Sequence, residues 1–126
     1  MIFFLALLCS CRGVSDEDVV GVIEHRKEIK PEKEEPRLGR LFRLTYDGDN
    51  GEAYFSPNGE ELVFQSTRPT FAADQIFTIP LIGGEPKLIS TGKGRTTCSF
   101  FLDPGRVIFA STHHRGDDPP PPPDRS

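Results

Sequence analysis

The sequence predicts an all-β protein, and three observations carry that reading. Nearly the same wording occurs twice, as "FSPNGEELVFQSTR" from Phe55 and as "FFLDPGRVIFASTH" from Phe100. Short runs of Phe, Ile, Leu and Val are interrupted every few residues by glycine and proline, the punctuation of strands and tight turns. No segment between Arg37 and Ser126 sustains the 3.6-residue apolar period of a helix.

The two passages belong to one longer repeat. Phe55 and Phe100 stand 45 residues apart, as do Phe64 and Phe109, Ser66 and Ser111, and Thr67 and Thr112. By the same spacing, and with no gap, Leu62-Val63 corresponds to Val107-Ile108, Leu44-Thr45 to Ile89-Ser90, and Gly39 to Gly84. A period of about 40–45 residues carrying short strands points to the four-stranded blades of a β-propeller. The expected architecture is a partial β-propeller of about one and a half blades behind a signal and linker segment. A small β-sandwich is the alternative.

The elements follow in chain order. The first ten residues, 1–10, read as a lipoprotein-type signal peptide: Ile2 to Leu8 is an apolar run of seven residues, too short to cross a bilayer as a helix. Leu8-Cys9-Ser10-Cys11 resembles a bacterial lipobox, although no Lys or Arg precedes the run. The resemblance implies that Cys11 carries the lipid, and that Arg12 after it does not retain the protein at the inner membrane. Residues 11–38 read as a charged linker. Ser15 and Asp18 resemble a capping box ahead of a short helix ending before Pro31. The interleaved charges of "EHRKEIKPEKEEPR" leave little apolar surface to offset the entropy of ordering.

Residues 39–113 carry the repeats. Strands are expected at Leu41–Thr45, Ala53–Ser56, Leu62–Ser66, Gln75–Pro80, Lys87–Ser90, Cys98–Leu102 and Val107–Ser111, with Asn58-Gly59 and Gly83-Gly84 as turns. A blade is expected near 41–80 or 53–90. Phe55, Leu62, Phe64, Ile76, Phe77, Ile79, Leu88, Phe100, Ile108 and Phe109 are the expected core. Residues 114–126, with five consecutive prolines, read as a loop or tail. By the repeat spacing the pattern stops within a second blade, so the chain is expected to be a piece of a longer protein.

Phe55-Ser56-Pro57-Asn58-Gly59, Phe64, Ser66, Gly83-Gly84 and Leu88-Ile89-Ser90 together resemble the TolB-type, WD-like β-propeller repeat. Asn58 stands where that repeat usually has Asp, and both residues suit a turn. The second copy departs further, reading Leu102-Asp103-Pro104-Gly105. The resemblance covers residues 39–113. It implies a periplasmic or outer-membrane-anchored bacterial protein, held to the membrane only through its lipid. Such a module would recognise a protein, peptide or glycan in the cell envelope. Similar propellers also precede catalytic domains in some peptidase chains, which is the alternative.

No catalytic function is expected from the residues present. There is no G-x-S-x-G elbow, no H-E-x-x-H and no cysteine pair with zinc spacing, so no cofactor or metal is expected. The net charge of −4 and the lack of a basic patch argue against nucleic-acid binding. "GKGRTT" at Gly92–Thr97 lacks the leading glycine and the following helix of a phosphate loop. His113-His114, at a strand end, should point to opposite sides. Cys98 reads as a small buried residue within a strand. Arg68 and His113 occupy equivalent positions in the two copies and are the candidate partner contacts.

Overall fold

The computed structural model describes residues 5–6, 26–121 and 124, the first two by backbone only. The described chain is all-β, in three small antiparallel sheets, with a single 3-10 turn at His113–Arg115. The first sheet joins β1 (Leu5–Ala6), β2 (Lys27–Ile29) and β3 (Leu41–Arg43) in the order β1-β3-β2. The second is a meander of β4 (Asp49–Phe55), β5 (Glu61–Thr67), β6 (Gln75–Pro80) and β7 (Lys87–Leu88). The third is the hairpin of β8 (Thr96–Asp103) and β9 (Arg106–Ser111).

Both faces of β5 and β6 are buried, which is why these strands read as near-continuous apolar runs rather than alternating ones. Leu62 lies opposite Ile79 and Phe64 opposite Phe77. These four residues form a cluster on one face, covered in part by Leu44, Phe71, Leu81 and Leu88. Val63 and Ile76 turn to the other face and pack against Phe101, with Ile89, Val107 and Phe109 around them. Burying each such side chain contributes about 1.5–3 kcal/mol, so these strands carry most of the cohesion.

The two hairpins β4–β5 and β8–β9 are built alike. Phe55 opposes Leu62 as Phe101 opposes Val107, Tyr54 opposes Val63 as Phe100 opposes Ile108, and Gly51 opposes Gln65 as Thr97 opposes Ala110. Between the last two pairs each inner strand carries a bulge, with Glu52 at φ 49° and Cys98 at φ 55°. The strands β5 and β9 therefore correspond at a spacing of 45 residues, but β4 and β8 at 46.

The extra step comes from the turns. In the first hairpin Ser56 anchors a longer turn: its Oγ donates to Asn58 Oδ1 (2.8 Å) and accepts the Glu60 and Glu61 amides (3.2 and 3.1 Å). In the second, Asp103 and Arg106 pair directly around Pro104-Gly105. Proline fixes the first turn position, and Gly105, at φ 89°, takes the left-handed conformation of the next.

This difference corrects the expected core. The counterpart of Phe55 is Phe101, which is buried, not Phe100, which is exposed. Ile108, opposite Phe100, is exposed on the same open face, and Phe55 is exposed as well. Of the expected core, Leu62, Phe64, Ile76, Phe77 and Ile79 are buried, and Leu88 and Phe109 are half-buried. Cys98 is also corrected: the bulge turns it out of the pleat, and its thiol is free and exposed.

The four-stranded sheet spans 49–88, so Leu41–Arg43 belongs to another sheet. Its partner there, β2, lies inside the stretch expected to be a charged linker. The helix expected from Ser15 falls largely outside the described residues, but before Pro31 the chain is a strand. Charge holds β2 where apolar burial does not. Arg40 grips both Glu28 carboxylate oxygens at 3.1 Å, holding that carboxyl below its usual range. The Arg26 and Arg40 guanidinium groups flank the Phe42 ring at 4.3 and 4.9 Å.

Candidate functional site: a polar rim and an apolar cleft

One end of the sheets collects most of the polar contacts between the repeated units. The start of β4 pairs with the end of β5, and the start of β6 lies beside that end. The second hairpin is tied on at the same end, where the Thr96 amide donates to the Asp74 carbonyl at 2.9 Å. Gln75, fully buried at the start of β6, donates from Nε2 to the Gly94 carbonyl and accepts the Ser90 hydroxyl at Oε1. Ion pairs line the rim: Arg68 with Asp47 at 2.7 Å, Lys93 with Asp117 at 2.9 Å, and Arg95 near Asp74 at 3.9 Å. The Thr67 hydroxyl also bonds Asp74.

Both candidate contact residues reach this rim, each following the threonine that ends or succeeds its strand. Their surroundings differ. Arg68 is not an exposed loop residue: its side chain is only 12% exposed, and its guanidinium lies 4.8 Å over the Phe77 ring. Its Nε and Nη2 are buried without a partner among the described residues. His113 is half-buried and shares a 2.6 Å hydrogen bond between Nδ1 and Ser111 Oγ. The 3-10 turn at His113–Arg115 replaces the expected strand end, so the two histidine rings do not point apart. Their centroids lie 4.1 Å from each other. Among the described residues no group of three or more His, Cys, Asp or Glu could hold a metal ion.

The rim depends on two glycines that sequence reasoning passed over. Gly48 and Gly94 occupy equivalent positions and adopt φ of 71° and 60°. A Cβ at Gly48 would lie 2.7 Å from Ser66 Oγ, and one at Gly94 would lie 2.8 Å from Thr112 Oγ1. Each glycine lets the incoming chain pass directly against the end of its partner strand. Their signal was present in the sequence as a glycine four residues before each inner strand's bulge, at Glu52 and Cys98, obscured by the change of spacing at the turns.

The "GKGRTT" loop spends its amides internally. The Lys93 amide donates to Thr91 Oγ1, Gly94 to the Asp117 carbonyl, Arg95 to Thr112 Oγ1 and Thr96 to the Asp74 carbonyl. A phosphate cradle needs such amides free and converging, so this loop joins the two units and holds the segment at Asp117 instead.

An apolar cleft of about 250 Å³ lies on the face of β4–β5 that carries Leu62 and Phe64. Phe42 and Leu44 form its opposite wall, and Thr45 and Asn50 its polar end. Asn50 Nδ2 donates to the Asp47 and Gly48 carbonyls, while its Oδ1 is buried without a partner among the described residues. The expected lipidation residue, Cys11, lies outside the described residues. No described helix is long and apolar enough to cross a membrane. Comparisons of the chain with protein families, with curated proteins and with solved structures find no match.

Proposed function

We propose that this chain is an arc of a TolB-type β-propeller that acts as a non-catalytic binding module of the bacterial cell envelope. It would be tethered through Cys11 and recognise a protein or peptide at its polar rim. One observation carries the reading: the second hairpin, built like the first, stacks on the first unit's sheet with Phe101 against Val63 and Ile76. Such a contact supports a reading in which one blade packs on the next. The same correspondence accounts for the flanking strands. On this reading β2 and β3 would be the outer pair of a preceding blade, β4 to β7 a whole blade, and β8 and β9 the inner pair of a following one.

The rim suits partner recognition because strands present it and its outer groups are exposed and mostly charged. Lys93, Arg95, His114, Arg115 and Asp117 are exposed there. Residues of this kind on loops carried by a rigid scaffold are typical contact positions.

The reading is tested in two arms. Expression in a host with lipoprotein processing, followed by mass spectrometry, should give a mature N-terminus that begins with acylated Cys11; an intact Met1 refutes the tether. A photo-cross-linking residue at position 114 should capture envelope protein or peptide that the same residue at position 58, at the opposite end of the hairpin, does not. Equal capture at both positions, or none at 114, refutes the rim as the contact.

A further inference from the structure

The two repeated hairpins present both halves of one interface, and each half that is used inside the chain has a counterpart left open in part: at Phe55, beside the buried Leu62 and Phe64, and at Ile108. The internal contact joins the Val63 face of the first hairpin to the Phe101, Val107 and Phe109 face of the second. By the strand pairing, Phe101 and Val107 correspond to Phe55 and Leu62, and Ile108 corresponds to Val63. The used positions are sealed: Phe101 is 4% exposed and Val63 0%. Their counterparts are open: Phe55 is 42% exposed and Ile108 55%. Phe100 and Leu102 extend the open patch around Ile108. The cleft lined by Leu62 and Phe64 lies on the same hairpin as Phe55, which pairs with Leu62.

We propose that these two open faces are covered by a second copy of this chain, bound head to tail. The Ile108 face of one copy packs on the Phe55 and Leu62 face of the next, repeating between chains the contact already made within one. The free strand edges fall in line with the same arrangement. In the first unit β5 takes β6 along its outer edge, with Leu62 opposite Ile79 and Val63 opposite Thr78. Among the described residues no strand lies beside the outer edge of β9, the counterpart of β5, or beside the outer edge of β2. β2 bears the same relation to β3 that β6 bears to β7. Pairing β9 of one copy with β2 of the next completes a sheet in the order β8-β9-β2-β3, with Val107 opposite Ile29 and Ile108 opposite Glu28. This inference uses the internal repeat alone and does not depend on the envelope partner or the lipid tether.

The test uses the full chain in sedimentation velocity across a wide concentration range. The native chain should associate, and Phe55→Glu and Ile108→Glu should each abolish association while retaining the β-sheet circular dichroism. Each variant still has one intact half, so an equimolar mixture of the two should form a one-to-one dimer. Should a buried charge disturb folding, Phe55→Ser and Ile108→Thr make the same comparison with strand-compatible residues. In a Cys98→Ser background, Glu28→Cys with Ile108→Cys should yield disulfides between chains. A native chain that stays monomeric at every concentration overturns the proposal. So does association that survives either single substitution, or a mixture that stays monomeric.

Discussion

Gln75 and Gly94 are joined across the boundary between the two repeated units: the Gln75 amide donates from Nε2 to the Gly94 carbonyl at 3.0 Å, with Gln75 fully buried. The Ser90 hydroxyl donates to Oε1 of the same amide at 2.8 Å, so the side chain is held at both ends. Replacing Gln75 by Leu keeps the volume but leaves the Gly94 carbonyl unpaired, at a cost of about 1–3 kcal/mol. Urea unfolding should register that loss. A change close to zero would mean that the Gly94 carbonyl reaches water.

Phe64 and Phe55 separate burial from residue type. Phe64 is buried among Leu62, Phe77 and Ile79, so Phe64→Ala should cost roughly 3–5 kcal/mol. Phe55→Ala, at an exposed position of the same hairpin, should cost under about 1 kcal/mol in the monomer. Equal losses in chemical denaturation would show that Phe55 is part of the core after all.

The glycines offer a cleaner comparison. Gly59→Ala meets open space and suffers only the left-handed backbone strain, about 1–2 kcal/mol. Gly48→Ala and Gly94→Ala meet the same strain and also a contact below 3.0 Å with strand-end atoms. Both should unfold at lower denaturant than Gly59→Ala. A result in which all three are equal would mean that the strand ends yield without cost.

Cys98, exposed on its bulge, should be alkylated in the folded protein without denaturant, with the site located by peptide mapping to distinguish it from Cys9 and Cys11. Cys98→Ser should change stability by less than about 0.5 kcal/mol. Protection of the thiol until global unfolding would contradict its position.

Much of the strand layout was legible in the sequence, because β5 and β6 announce themselves by composition and β6 has the bounds its residues suggest. What was not legible has physical causes. Lys27–Ile29 carries too little apolar surface to read as a strand, and its place is held by Arg40 with Glu28 and by two guanidinium groups on Phe42. A constant spacing put Phe100 inside and left out Phe101. The shorter turn at Pro104-Gly105 shifts β8 by one residue, and one residue reverses which face a side chain meets. Arg68 was legible as a position equivalent to His113 but not as a side chain withdrawn beneath Asp47 and over Phe77, since that depends on where Gly48 lets the chain pass.

The placement of Phe55 and Ile108 on different units gives the molecule a direction. A symmetric contact is used up when two copies meet, because each occupies the other's only patch. A directional contact is not: every copy that docks brings a fresh face of the kind it has just covered. Only geometry stops such growth. If the rotation from one copy to the next divides a full turn, the faces run out in a closed ring; if it does not, the chain elongates as a filament with two unlike ends. The pitch set by stacking β8–β9 on β5–β6 therefore decides between a particle of fixed size and a polymer whose length follows concentration.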